Sequence, residues 1–293
     1  MTNYNNSVQQ DKSISSSWQG SLDIVYAHRN GKTQPIRDRV QAPLKVQRPF
    51  YPEGEICHTV ILHTAGGIVG GDRNSINLQL QPRSQALVTT TAASKIYRSN
   101  GLPARQTVDI QIAEDACLEW LPQETIVFNG AHYRQDLRVE LAPGANWLGW
   151  EITRFGRSAR GEKFLQGEWR SHTEVWQQGQ PLWIDRQLLQ GEEAILNSPH
   201  GLAGHSIVAS LTWIGCEVSP ELVAKCRDVT CNVSITIPTT NYGVTRLPHG
   251  LLCRYRGSSS IEVRNWFTSV WQLLRLSLLN RSSCLPRVWQ LGK

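Results

Sequence analysis

The segment from His63 to Asp72 (HTAGGIVGGD) has the composition of a ligand-binding loop, with four glycines in six positions followed by a carboxylate. Glycine permits left-handed backbone and the close approach of another chain or a ligand. The spacing fits neither G-x-G-x-x-G, because residue 68 is Ile, nor G-x-x-x-x-G-K-[ST], so a nucleotide site is not predicted. Asp72 either faces a cavity or caps a tight turn between two strands.

A second charged cluster consists of Arg154, Arg157 and Arg160, at intervals of three residues. Like charges at this spacing repel unless carboxylates or anions lie between them. An ion-pair network is the favoured interpretation, and a phosphate-binding patch is the alternative. The carboxylates nearby in the sequence are Glu151, Glu162 and Glu168.

The His and Cys spacings do not predict a tight metal site. His58 and His63 would point to opposite faces of a strand, and the seven cysteines include no C-x-x-C pair. A weak or transient site built from scattered Asp, Glu and His side chains stays open. Without a G-x-S-x-G motif, a hydrolase would have to rely on the carboxylates near Asp72, and this is one alternative function.

The elements that must position these residues have a period of two, which is typical of half-buried strands. Three segments also resemble one another, each with a strand, a three-residue turn and a second strand. They are INLQLQPRSQALV from Ile76, VDIQIAEDACLEW from Val108 and LRVELAPGANWLG from Leu137, with a looser fourth copy in VWQQGQPLWI from Val175. Such repeats indicate stacked sheets, because each unit buries its apolar face against its neighbour.

Two helices are predicted. One begins at Ser219-Pro220, and the other follows the capping pattern Ser259-x-x-Glu262 near the C-terminus. The predicted fold is mainly β, a stacked-sheet, β-helix-like single domain with about two helices. Residues 1–17 are polar and read as a disordered tail, which leaves residues 18–293 as one domain. A further apolar alternation, Val233-x-Ile235-x-Ile237, predicts another strand.

The net charge of +6 is concentrated at the C-terminal end, where residues 246–293 carry eight basic side chains and one acidic side chain, Glu262. This end favours docking on a protein partner. Its arginines, interleaved with Trp and Tyr, leave a basic nucleic-acid-binding protein as a second alternative function. The most apolar stretch, Trp266–Leu279, is interrupted and too short to span a bilayer, so a cytoplasmic protein without a membrane partner is predicted.

Taken together, several segments resemble the urease accessory protein UreD (UreH) family. The resemblance runs from about Trp18 to the C-terminus, and the ordered set of motifs is more specific than any one of them. The segments that carry it are Thr64–Asp72, Thr91–Arg98, Glu119–Phe128, Arg157–Phe164 and Pro286–Trp289.

The resemblance implies a non-catalytic scaffold for nickel insertion into urease. Such a protein binds the helical accessory protein UreF, which recruits the GTPase UreG, and the assembly docks on the urease apoprotein. Nickel is expected to pass through a water-filled tunnel, with no tightly bound cofactor and only transient Ni²⁺. A conduit needs donors that release the ion, which explains the missing ligand motif.

Position within the matching motifs supplies the candidate residues. The candidates for Ni²⁺ passage are Asp72, Glu119, Glu124 and Glu162. The candidates for the tunnel wall or an ion-pair network are Lys95, Arg157 and Arg160. The candidates for partner binding are Trp266, Trp271, Arg275, Arg287 and Trp289.

Overall fold

The computed structural model describes residues 17–232 and 241–289. Residues 1–16 and the alternation at 233–237 lie outside this range, so the tail and that strand stay predictions. The strands are β1 Gln19–Arg29, β2 Lys32–Gln41, β3 Leu44–Val46, β4 Cys57–His63, β5 Arg73–Leu80, β6 Gln85–Thr90, β7 Ser94–Ile96, β8 Ala104–Ile112, β9 Cys117–Leu121, β10 Thr125–Val127, β11 Ala131–Leu141, β12 Asn146–Phe155, β13 Gly167–Gln177, β14 Gln180–Gln190, β15 Ile207–Ile214, β16 Asn241–Leu247 and β17 Gly250–Gly257. The helices are α1 Glu193–Asn197, α2 Pro220–Asn232 and α3 Ser260–Leu279, with short 3₁₀ turns at Ser158–Arg160 and Arg287–Trp289.

The strands form two sheets that face each other. The first sheet has the order β14-β13-β11-β8-β5-β1-β2, and the second contains β16-β17-β15-β12-β9-β6-β4-β3. From β4 to β13 the chain alternates between the two sheets, with the short strands β7 and β10 of the second sheet following β6 and β9, so consecutive coils stack in parallel. The predicted mainly β, stacked-sheet, β-helix-like fold is therefore confirmed.

The three sequence repeats are three successive coils. Their first strands, β5, β8 and β11, align Ile76 with Val108 and Val108 with Leu137 in parallel register. Each coil then turns through one residue with left-handed backbone, which is Arg83, Asp115 or Gly144 at the equivalent position. The shared sequence pattern thus encodes one strand–turn–strand unit, and the repeat prediction is confirmed.

The fourth copy differs from that prediction. Val175 on β13 does pair in parallel with Val139 on β11. The chain then reverses at Gln178-Gly179, two consecutive residues with positive φ, and β14 returns antiparallel to β13. A two-residue turn of this kind makes a hairpin, so this segment ends the coil rather than continuing it.

Apolar residues fill the space between the sheets and the space beneath the helices. Alternate residues of the coil strands face inward, and α2 and α3 cover the other face of the second sheet. Both predicted helices are present, and the backbone N–H of Glu262 donates to the Ser259 hydroxyl as the capping pattern predicts. The third helix, α1, was not predicted because its five residues show no apolar period, and Glu192-Glu193 reads as a solvated loop.

A third, shorter wall closes the coil between the two sheets at the end opposite the tight turns. It consists of β7, β10, the end of β12 and a bridge at Ile68. Ile68, Ile96, Val127 and Phe155 stack in register across this wall, and their side chains are buried. No helix within the described residues is long and apolar enough to cross a membrane.

Candidate functional site

The glycine-rich loop between β4 and β5 is held by Asp72. The Asp72 carboxylate, 2% exposed, accepts hydrogen bonds from the backbone N–H groups of Trp18 (2.8 Å) and Val69 (2.9 Å). A side chain at Gly70 would place its Cβ 2.6 Å from the carbonyl oxygen of Leu102, so the glycine permits close packing of neighbouring loops. Of the two interpretations of Asp72, the structure shows the cap.

A cavity of about 380 Å³ lies between the two sheets, beside this loop. Residues Gly66, Ala92 and Lys95 border it and are exposed, so the cavity opens to solvent between the β4–β5 loop and the segment after β6. Such a space, enclosed by rigid strands, can admit water and a small ion.

The wall of this cavity on the first sheet carries a row of polar side chains. Asn74, Gln106, Gln135 and Ser171 are aligned in register on β5, β8, β11 and β13. Gln106 and Gln135 line the cavity. Both amide atoms of the buried Asn74 lack a hydrogen-bond partner among the described residues. In a parallel stack, each coil thus places one polar group at the same level of the interior.

Glu151 on β12 faces this row from the second sheet. Its carboxylate accepts hydrogen bonds from the Gln135 amide (2.5 Å) and the Ser171 hydroxyl (3.0 Å). Burial raises the pKa of the Glu151 carboxyl, and these two hydrogen bonds oppose that rise only in part. The group therefore takes up a proton at a higher pH than an exposed glutamate does.

His63 adds a second possible metal ligand to the same cavity. Its Nδ1 lies 2.8 Å from the carbonyl oxygen of Ala65, and a carbonyl only accepts, so Nδ1 carries the proton. The buried Nε2 has no hydrogen-bond partner among the described residues. A neutral imidazole held in this tautomer presents a lone pair that can bind a metal ion. As predicted, His58 lies on the other face of β4.

A second, smaller cavity adjoins the first, and both are bordered by Leu137 and Glu151. The smaller one is also bordered by Asp185, which accepts a hydrogen bond from Arg254 at 2.7 Å. Glu151 thus lies at the junction of the two spaces. Several oxygen and nitrogen groups border the first cavity, but Glu151 supplies the single carboxylate among them. The described residues contain no group of three or more His, Cys, Asp or Glu side chains arranged to hold a metal.

None of the four carboxylates predicted for Ni²⁺ passage lines the larger cavity. Asp72 caps the loop, and Glu119 lies on the helix side of the second sheet. Glu124 pairs with Arg264 of α3. Glu162 accepts two hydrogen bonds from the Arg157 side chain, which hold the pKa of that carboxyl below its usual range. The four groups are not brought together, and their role in Ni²⁺ passage stays a prediction.

The predicted wall residues also separate. Lys95 lies at the mouth of the larger cavity. Arg157 forms the predicted ion pair with Glu162, at 2.7 Å, and its guanidinium lies 4.6 Å from the ring centroid of Phe128. Arg160 is exposed on the 3₁₀ turn. The three predicted wall residues therefore form one local ion pair, at Arg157, and two separate exposed cations, Lys95 and Arg160.

Glu119 belongs to a buried network beneath α3. Its carboxylate accepts a hydrogen bond from the Trp271 indole, and Arg275 Nε lies 3.3 Å away. Arg275 also contacts Glu53 at 2.5 Å, and Glu53 contacts His58 at 2.6 Å. Burial raises the pKa of Glu119, opposed by Arg275 and Trp271. Charges this deeply buried stabilise only when they are paired.

The partner-binding role of Trp266, Trp271 and Arg275 stays a prediction, and the structure places these side chains inside the chain rather than on its surface. Their side chains are 3%, 0% and 0% exposed, because they form the face of α3 that packs on the second sheet. Arg287 is exposed above the Phe50 ring. Trp289 is half-buried, stacks 5.2 Å from Trp150 and donates to Thr89, so its part in docking stays a prediction.

The arginines of the basic C-terminal end likewise make mainly internal contacts. Most of its described arginines bind groups elsewhere in the chain rather than forming one exposed patch. The partners are Glu217 for Arg246, Asp185 for Arg254, the carbonyls of Pro199 and Gly201 for Arg256, Glu124 for Arg264, and Gln85 for Arg281.

The sequence interpretation missed Glu151 as a cavity residue, although a signal was present. In each repeat, the residue two positions before the first inward-facing apolar residue is polar, and it faces inward as well because residues two apart on a strand share a face. These residues are Asn74 before Ile76, Gln106 before Val108, and Gln135 before Leu137. On β12, Glu151 lies four residues after the inward-facing Trp147, so its side chain points to the same side of the strand. A polar residue at an inward position of several consecutive coils predicts a polar interior.

These features define a class of protein: a stacked parallel β-coil that encloses a polar cavity and is covered on one side by helices. The profile of the UreD urease accessory protein family matches residues 19–290. The chain belongs to this family, whose members are accessory to urease maturation and are not catalytic enzymes. The hydrolase alternative is therefore wrong.

Relatives at several distances agree with this assignment. The urease accessory protein UreD of Nostoc punctiforme is 69% identical over 94% of this chain and 98% of its own length. UreD of another Nostoc species is 66% identical over 97% of this chain and 100% of its own length. The Pseudomonas fluorescens protein of the same name is 39% identical over 93% and 95%, respectively.

Proposed function

We propose that this protein scaffolds UreF and UreG on the urease apoprotein and helps to conduct Ni²⁺ into the urease active site. Membership of the UreD family supports a role in urease maturation. The observation that carries the conducting role is the in-register polar row on the first sheet, of which Gln106 and Gln135 line the cavity together with Glu151.

The donors of this cavity suit passage better than storage. Amide and hydroxyl oxygens bind Ni²⁺ weakly, whereas a site with several thiolates or imidazoles would retain it. One carboxylate, Glu151, and one imidazole nitrogen, His63 Nε2, supply the stronger contacts. An ion that moves between two stronger ligands and several weak ones can leave as readily as it enters.

The first experiment is co-expression of the urease subunits and the other accessory proteins, with and without this chain, in nickel-containing medium. We expect the urease formed without it to contain little nickel and to show little activity. Equal nickel content and equal activity in the two preparations would refute the proposed function as a whole.

The second experiment concerns the cavity itself. Glu151→Gln keeps the shape of the side chain and one of its two acceptor oxygens but removes the charge, so we expect lower nickel content in urease with the accessory complex intact in pull-downs. Glu114→Gln, in an exposed turn, is the matched control. Because the pKa of Glu151 is raised, nickel transfer through the unmodified protein should also weaken as pH falls, since the protonated carboxyl no longer binds the ion. A transfer rate unaffected by the substitution would exclude Glu151 from the path.

A further inference from the structure

The third wall of the coil presents an unusual combination of exposed cations and exposed apolar side chains. The loops that lead from the second sheet back to the first stack at this end. The carbonyl oxygen of Pro103 accepts from Gly71, that of Gly130 from Ser99, and that of Gln166 from Gly130, at 2.8–3.3 Å. One continuous surface therefore carries side chains from several coils.

Four cations on this surface have no carboxylate partner among the described residues. They are Lys95, Arg98, Arg160 and Lys163, and all four are exposed. On the outer face of the first sheet, by contrast, the central arginines Arg105, Arg134, Arg138 and Arg170 each form an ion pair, and arginines without an ion pair among the described residues, such as Arg37 and Arg39, lie at its edge on β2. Because unpaired like charges repel one another, a cluster of this kind is more stable when an anionic group covers it.

Apolar side chains lie among these cations. Val69, Tyr97, Leu102 and Leu165 are 44%, 36%, 46% and 41% exposed. Tyr97 packs edge-on against Phe128, with ring centroids 5.1 Å apart, so its position is fixed from below. We call the four cations and these four apolar side chains the basic rim. Exposed apolar groups ringed by polar ones are typical of protein interaction sites.

We propose that the basic rim binds a carboxylate-rich protein surface within the urease-maturation assembly; this inference rests on the proposed function. The positive charge requires an acidic partner, and the apolar side chains require a partner that itself offers apolar surface, which a nucleic-acid backbone does not. A second copy would bring the same four cations against each other. Lys95 also borders the cavity mouth, so a partner on the rim would cover that opening.

The test is binding of the full-length chain to UreF and to the urease apoprotein, each immobilised separately. The variant carries Lys95→Glu and Arg98→Glu. The matched control carries Arg37→Glu and Arg39→Glu on β2, two exposed arginines at the far edge of the first sheet. We expect binding to at least one of the two proteins to weaken by about tenfold or more, mainly through slower association, and the control to bind normally.

Salt dependence gives a second readout that needs no substitution. The affinity of the unmodified chain for the partner that binds the basic rim should decrease as the NaCl concentration rises from about 50 to about 300 mM. Normal binding of the rim variant to both proteins, salt-independent binding, or loss confined to a nucleic-acid probe would overturn the inference. If the rim variant binds normally while omission of the chain still leaves urease without nickel, the inference fails and the proposed function stands.

Discussion

Arg275 offers the sharpest test of how α3 is attached to the second sheet. Its guanidinium is fully buried, 2.5 Å from Glu53 and 3.3 Å from Glu119, and 5.1 Å from the ring centroid of Trp271. Arg275→Met preserves much of the apolar stem but leaves two carboxylates, 12% and 2% exposed, without their cation. Removing one partner of a buried pair typically costs about 3–5 kcal/mol.

Urea unfolding of the full-length chain, followed by circular dichroism, measures this loss. The comparison is Arg170→Met, which breaks an ion pair whose side chains are 52% and 31% exposed and should cost at most about 1 kcal/mol. Glu119→Gln added to Arg275→Met removes a stranded charge and should recover part of the loss. If Arg275→Met costs no more than Arg170→Met, the buried network does not hold α3.

The pH dependence of the Arg275→Met deficit has a definite sign. Burial already raises the pKa of Glu119, and loss of Arg275 removes a cation that opposes the rise. A carboxyl whose pKa is raised by folding contributes its stability below the unfolded-state pKa and loses it as pH rises through the folded value. The deficit should therefore shrink as pH falls from about 8 to about 5, and a deficit that grows would contradict the assignment.

Three further substitutions test local structure, each by the free energy of unfolding. Asp72→Asn leaves one of the two backbone N–H groups without an acceptor, because an amide has a single oxygen, and should cost about 1–3 kcal/mol; no change would mean that the cap is dispensable. Ser259→Ala removes the N-cap of α3 and should cost about 1 kcal/mol, whereas an unchanged midpoint would show the cap to be redundant with packing. Asn74→Leu should stabilise the chain by about 1–2 kcal/mol, because both buried amide atoms lack a partner among the described residues; destabilisation would show that the amide is satisfied in solution.

Much of the architecture could be predicted because the coil repeats itself. Alternation in Ile76–Leu80, Val108–Ile112 and Leu137–Leu141 encodes the inward faces, and an equivalent turn position encodes each reversal. The end of the coil could not be predicted, because Val175 continues the apolar pattern. Only the turn at Gln178-Gly179 distinguishes a hairpin from another coil.

Individual site residues were less accessible to prediction, since charge in a sequence does not report burial. Arg275 and Trp271 read as a basic, aromatic docking surface, yet α3 turns both toward the second sheet. Glu119 read as a conduit group, yet odd and even residues of β9 face different layers, and Glu119 faces the helix while Trp120 lines the cavity. A shift of one residue along the strand decides whether a side chain lines the cavity or faces the helices.

The polar row also explains why a sheet-rich coil would keep an interior that is imperfectly packed. Replacement of Asn74, Gln106 and Gln135 by apolar residues would extend the alternation of each coil and, at Asn74, remove an amide whose two polar atoms lack a partner among the described residues, which favours stability. It would also leave Glu151 as an isolated carboxylate facing hydrocarbon, where its neutral form is favoured and a cation finds no second donor. Under the proposed conducting role, three amides opposite one carboxylate cost some folding stability but supply the weak oxygen ligands that passage of a divalent ion requires, which a purely structural coil would not need.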